Sequence, residues 1–183
     1  MRLRGPILYT GQDVARFCEV DLKTVHHWAD RGKVPHYRTE GRHLRFRRND
    51  VVRFLRAHGY PLPDELTNVR PTVALTTELD EEASKKLGAR FVVARFANAI
   101  TAIARLVADA PDAIIVAWND PTIVAAPAFV ALKNDPATAF IALAAVGDEA
   151  TLTAARDAGA DIALVHADCT RLAAELGRAL AVA

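Results

Sequence analysis

The chain has 183 residues, 51% of them hydrophobic, with 23 Lys and Arg against 22 Asp and Glu, enough to bury the core of one large or two small domains. No apolar run nears the ~20 residues needed to cross a membrane, and the start MRLRGPILYT lacks the long apolar stretch and cleavage site of a secretory signal. Cys18 and Cys169 lie far apart without C-x-x-C spacing, which argues against a disulfide scaffold and fits a reducing cytoplasm.

The near-zero net charge hides an asymmetry. Residues 1–60 hold 13 Lys and Arg against 6 Asp and Glu, whereas residues 61–183 hold 10 against 16. The first part is suited to a polyanion and the second is not. In chain order, Thr10-Gly11-Gln12-Asp13 fits a helix start with Thr10 as N-cap, and Val14, Ala15, Phe17 and Cys18 then give an apolar helical face. Asp21 is positioned to cap a second helix, 22–31, closed by Gly32. Two short helices joined by Glu19-Val20-Asp21 make a helix-turn-helix. Residues 34–38 and 43–46 read as short strands around the turn Thr39-Glu40-Gly41-Arg42. A third helix over 49–58 turns Val51, Val52, Phe54 and Leu55 inward. The stretch GYPLPDELTNVRP (59–71) carries Gly59, Pro61, Pro63 and Pro71, and 61–71 reads as a semi-stiff linker.

Beyond it the pattern changes. Apolar runs at 72–77, 90–94, 112–117, 139–145 and 161–166 alternate with helical segments at 80–87, 97–109, 123–134, 148–157 and 168–181. Five strands alternating with five helices imply a doubly wound, five-stranded parallel sheet. The predicted organisation is an α+β winged helix-turn-helix domain at 1–60, the linker, and an α/β domain at 72–183.

Positions 9–55, YTGQDVARFCEVDLKTVHHWADRGKVPHYRTEGRHLRFRRNDVVRFL, resemble the winged-helix DNA-binding domain of the MerR and excisionase-like families. The features that match are Tyr-Thr, the Val-Ala of the first helix, Thr-Val-x-x-Trp, Gly-Lys-Val-Pro, and Arg-Phe-x-x-x-Asp-Val before the third helix. A helix of about ten residues fits the major groove, and its exposed face offers Lys23, Thr24, His26, His27 and Arg31 to bases and phosphates. Val25 and Trp28 fall on the opposite, core-facing side. The hairpin carries Arg42, His43 and Arg45, with Arg47 and Arg48 beyond, and a narrow basic wing of this type reaches phosphates or a minor groove. Leu44 and Phe46 alternate with those arginines and should face the core. With Thr10, the candidate DNA-binding set is Thr10, Lys23, Thr24, His26, His27, Arg31, Arg42, His43, Arg45 and Arg47. His26 and His27 are adjacent, a poor spacing for metal ligation.

Residues 72–183 resemble a response-regulator receiver domain. PDAIIVAW aligns with the family's Pro-Asp-(apolar)-Asp strand, and EATLTAARDAGADIALVHADC is similar to its fourth helix, Ala-Gly-Ala-Asp corner and fifth strand. The resemblance implies two acids after the first strand, an aspartate ending the third, a Ser or Thr ending the fourth and a lysine ending the fifth. Metal and lysine neutralise the incoming phosphoryl group. This sequence departs at each position: Thr76-Thr77 precede the first acid, Glu78; the acceptor position is Ala117; the fourth strand's position falls on Ala144 or Ala145; and the lysine position is His166. An alanine has no oxygen to phosphorylate. Asp120 is the nearest carboxylate downstream, but lies in a turn before Pro121. Asp112 starts the strand at its wrong end.

The expectation is a cytoplasmic, nucleoid-associated, non-enzymatic regulator of transcription that binds double-stranded DNA and acts without phosphorylation. Its degenerate receiver, a pseudo-receiver, would form a homodimer or take a protein partner, through helices 148–157 and 168–181 by the receiver resemblance. The apolar surplus of Ile123–Leu132 fits an interface or a two-sided core position. No cofactor, metal or membrane is expected: TTELDEE (76–82) lacks the histidine of a cobalamin loop, and no G-x-G-x-x-G or Walker motif occurs. Two rival functions are a DNA-architectural, excisionase-like accessory factor and a ligand-sensing regulator.

Overall fold

The computed structural model describes residues 8–106, 110–135, 138–180 and 182. The expected helix end at 107–109, residue 181 of the last helix and the charged start at 1–7 lie outside the described residues. The chain divides into two compact units, the first reaching Val69 and the second running from Arg70 to Leu180.

In the first unit, β1 (Leu8–Thr10), α1 (Gly11–Cys18), α2 (Leu22–Asp30), β2 (Tyr37–Arg38), β3 (Leu44–Arg47), α3 (Arg48–Ala57) and α4 (Asp64–Thr67) follow in order. The α1 cap forms: Thr10 Oγ1 accepts the Asp13 N–H at 3.2 Å, and Asp13 Oδ2 accepts the Thr10 N–H at 2.8 Å. Asp21 stands at the N-cap of α2, but its side chain makes no capping bond. Its backbone carbonyl alone accepts from Thr24 and Val25. Gly32 closes α2 with φ +67°.

The antiparallel sheet runs β1-β3-β2. β1, unforeseen in the sequence, pairs Tyr9 with Phe46 and Thr10 with Arg45. On β3 the side chains alternate as expected: Leu44 and Phe46 are buried, Arg45 and Arg47 half-buried. The left-handed position of the wing turn falls on Arg42 (φ +58°) rather than Gly41, a backbone cost for a residue with a side chain.

The expected linker departs from its reading. Residues 60–67 pack onto the winged helix, with Leu66 fully buried and Tyr60 and Leu62 against the same core. Arg48, read as a basic residue beyond the wing, is instead 3% exposed. Its Nε and Nη2 both donate to the Leu66 carbonyl, at 2.8 and 2.5 Å. Tyr9 donates its hydroxyl to the Glu65 carbonyl, and Arg16 pairs with the Glu65 carboxylate at 2.5 Å. A buried guanidinium needs such acceptors, and this short helix supplies one.

The second unit is β4 (Thr72–Leu75), α5 (Glu81–Arg90), β5 (Val92–Arg95), α6 (Ala99–Leu106), β6 (Ala113–Ala117), α7 (Ala125–Asn134), β7 (Ala142–Gly147), α8 (Leu152–Asp157), β8 (Ile162–Val165) and α9 (Leu172–Ala179), with 3₁₀ segments Glu149–Thr151 before α8 and His166–Arg171 before α9. The sheet is wholly parallel in the order β5-β4-β6-β7-β8, the doubly wound arrangement that the alternating pattern implies. β4 and β7 are buried along their length and β6 up to Val116, as a sheet covered on both faces requires. Asp112 ties the chain's entry to the sheet, its Oδ2 accepting the Thr72 N–H at 2.8 Å. The strand order reverses beside β4, so the crevice at the carboxyl ends of β4 and β6 is where such a fold places a ligand.

Candidate functional site

In α2, Val25 and Ala29 are buried, and Trp28 packs on Phe54 with ring centroids 5.1 Å apart. Helical spacing then leaves Lys23, His27 and Arg31 exposed on one side, while Thr24 and His26 sit half-buried on its flanks. Arg42 and His43 are exposed at the wing.

A concave groove of about 400 Å³ opens between the start of α1, the start of α2 and the wing. It is lined by Thr10, Gly11 and Gln12, by Leu22 and His26, and by Arg42, His43, Leu44 and Arg45. It thus gathers Thr10, His26, Arg42, His43 and Arg45 of the predicted set. Lys23, Thr24, His27 and Arg31 do not line it. Arg47 is also elsewhere: its guanidinium lies 5.9 Å from the Tyr37 ring centroid, and burial lowers its pKa. Gln12, exposed on the first turn of α1, joins the groove without having been singled out in the sequence. Its signal was its place beside the cap. At Gly11 an added Cβ would come within 2.9 Å of Leu22 Cδ1, the tip of a flexible side chain on α2.

Arg38, also passed over in the sequence, positions the wing. Its Nη2 pairs with Asp30 of α2 at 2.7 Å, and its Nη1 donates to the Arg42 carbonyl at 3.2 Å. Arg45 Nη1 donates to the carbonyl of the preceding Leu44 at 2.9 Å, which leaves further guanidinium donors. Both cysteines are buried free thiols, and burial pushes Cys18 up to about 11. Among the described residues no cluster of His, Cys, Asp or Glu could hold a metal ion.

At the crevice of the parallel sheet, Ala117 ends β6 in register with Val146. Thr76 Oγ1 turns back to donate to the Ile115 carbonyl at 3.2 Å. β7 runs to Gly147, two residues past Ala144–Ala145, so Val146 and Gly147 occupy its end, again with no hydroxyl. A Cβ on Gly147 would meet Thr151 Oγ1 at 2.8 Å and Trp118 Cβ at 3.1 Å, so those side chains close over the strand end. Trp118 stands edge-on to Phe129 at 5.6 Å. His166 is exposed just past β8.

Asp120 is 8% exposed and fully engaged: its carboxylate accepts from the Ala99 N–H (2.8 Å), the Thr122 N–H (2.8 Å) and Thr122 Oγ1 (2.5 Å). Burial opposes its ionisation, yet the bonds from Thr122 and Ala99 together hold the carboxyl below its usual range. It is a structural brace for the start of α6.

Residues 8–59 match the family described as "Helix-turn-helix domain". No curated protein matches the chain by sequence. Among solved structures, one similar to this chain is a putative response regulator from Chloroflexus aurantiacus, at 22% identity and TM-score 0.52, covering 62% of this chain and 99% of that one. A response regulator from Thermotoga maritima shows 15% identity and TM-score 0.50, covering 62% and 99%. A LuxR-family DNA-binding response regulator from Staphylococcus aureus shows 10% identity and TM-score 0.50, covering 60% and 98%. At such identities the likeness is one of fold. The N-terminal unit of this chain contains a helix-turn-helix domain at residues 8–59, and its C-terminal unit has the fold of a response-regulator receiver.

Proposed function

We propose that this chain is a sequence-specific DNA-binding regulator of transcription whose receiver-fold unit works without phosphorylation, as a pairing or partner-binding module. The observation that carries the reading is one chain joining a basic helix-and-wing groove to a receiver fold that ends β6 on Ala117. No oxygen at that position can take a phosphoryl group, and the nearby carboxylate, Asp120, is consumed by three hydrogen bonds. We assign the chain no catalytic step and place its work in the cytoplasm, on the nucleoid.

Incubation with acetyl phosphate and Mg²⁺ should leave the protein's mass unchanged; a gain of one phosphoryl group in the intact mass spectrum overturns the phosphorylation-independent reading. Genome-wide mapping of its binding sites tests the regulatory role, since compact sites at promoters support it and extended arrays favour an architectural factor.

A single winged helix reads only a short site, so a second copy raises affinity without new contacts. We place the pairing surface on the C-terminal unit, where Ile100, Val124 and Val130 are exposed large hydrophobics on or beside α6 and α7. The expected pairing helices, α8 and α9, instead carry outward charges such as Arg156 and Arg178. Sedimentation at tens of micromolar should give a dimer, which Val124→Asp weakens; a wild-type monomer removes this part of the proposal.

A further inference from the structure

We propose that Asp30 is a positioning residue for DNA: its carboxylate, acting through Arg38, holds the wing in place against α2, so that binding of a polyanion depends on a negative charge. This rests on the DNA-binding reading of α2 and the wing, and adds a residue that sets how the two are presented together.

On local grounds Asp30 is out of place. It is the last residue of α2, where the helix macrodipole favours a cation over a carboxylate. Its side chain is 62% exposed, on a helix read as approaching phosphates, which repel it. What stabilises it is Arg38, whose Nη2 donates to Asp30 Oδ1 at 2.7 Å. Nη1 of the same guanidinium donates to the Arg42 carbonyl at 3.2 Å. One planar fork therefore ties the end of α2 to the wing turn, a geometry that suits arginine.

The wing needs such a tie. β2 is an edge strand of two exposed residues, Tyr37 and Arg38, paired to Arg45 and Leu44 of β3. The turn beyond is closed on itself. The Arg42 N–H donates to the Thr39 carbonyl (2.7 Å), the Thr39 N–H to the His43 carbonyl (3.1 Å), and the His43 N–H to Thr39 Oγ1 (3.3 Å). A turn braced in this way moves as one piece, and Arg38 grips it at the Arg42 carbonyl. Arg42 is also the residue with left-handed backbone, a conformation that persists where surrounding bonds over-determine it. An exposed ion pair adds little to folding stability. Its consequence lies in where the wing stands, not in whether the unit folds.

The test is fluorescence anisotropy of the full chain with a short random-sequence DNA duplex at about 0.1 M salt. Charge alone predicts that Asp30→Ala tightens binding, since a carboxylate near phosphate is removed. Positioning predicts the opposite sign: binding should weaken about fivefold, with melting near wild type. Asp30→Glu, which restores the carboxylate, should recover most of that loss. In an Arg42→Ala/Arg45→Ala background the wing arginines that line the groove are already gone, so adding Asp30→Ala should change the Kd less than about twofold. An Asp30→Ala chain that binds as tightly as wild type, or tighter, overturns the proposal, and so does an equal loss in the background without those arginines. A wild-type chain that binds no duplex removes the DNA-binding reading, and this proposal with it.

Discussion

Phe46→Ala should unfold the N-terminal unit, and DNA binding should disappear with it. Phe46 has no exposed surface and sits on β3, the central strand of the three-stranded sheet. Its backbone pairs with Tyr9 of β1, while its neighbours Arg45 and Arg47 project from the other face. Truncating a buried phenylalanine costs about 3–5 kcal/mol in lost transfer energy and residual cavity. A unit of about 60 residues holds on the order of 3–9 kcal/mol in total, so the substitution removes most of what keeps the wing folded. The receiver-fold unit has its own core around Ile114, Leu143 and Phe129, and its melting should persist. Thermal unfolding followed by near-UV circular dichroism distinguishes the two transitions; an unshifted N-terminal transition in Phe46→Ala contradicts this account of the core.

The fold was legible wherever local chemistry agreed with tertiary packing. Thr10 and Asp13 cap α1, Gly32 takes the left-handed position after α2, and the alternation of Leu44 and Phe46 with Arg45 and Arg47 gives β3 its inner and outer faces. In the C-terminal unit the repeated switch between apolar runs and helical segments was enough for the topology. What escaped depended on partners distant in sequence. β1 is three residues long, and its strand status comes wholly from pairing with residues 45–47. The segment containing Pro61 and Pro63 carries every local sign of a linker, but Arg48, 18 residues before Leu66, folds it onto the core. The buried state of Arg48 was hidden for the same reason, since a charged side chain next to a basic wing reads as surface. Of the candidate site, the basic residues were legible by type and the groove was not. Gln12 and Arg38 enter only once α1, α2 and the wing are brought together, and Arg47 leaves the groove because Tyr37 stands beneath it.

The double substitution Arg42→Ala/Arg45→Ala should lower DNA affinity by a factor that depends on salt, and that dependence distinguishes phosphate contacts from base contacts. Each phosphate neutralised by a protein cation releases condensed counterions and contributes about 0.9 to the slope of log K against log salt. Two lost contacts should flatten the slope by about 1.8; the same relation makes each worth about eightfold at about 0.1 M salt and little near 1 M, or about 60-fold together at the lower salt. The loss should be similar for all duplex sequences, since phosphates carry no sequence information. Neither change opens the core: Arg42 is exposed and Arg45 half-buried on the outward face of β3, so melting should stay near wild type. Alanine at position 42 keeps the left-handed backbone strain of the turn, whereas Arg42→Gly relieves it and should bind as weakly as Arg42→Ala. If the substitutions leave the salt slope parallel to wild type, the wing does not touch the backbone. Should affinity fall for one sequence only, the arginines read bases.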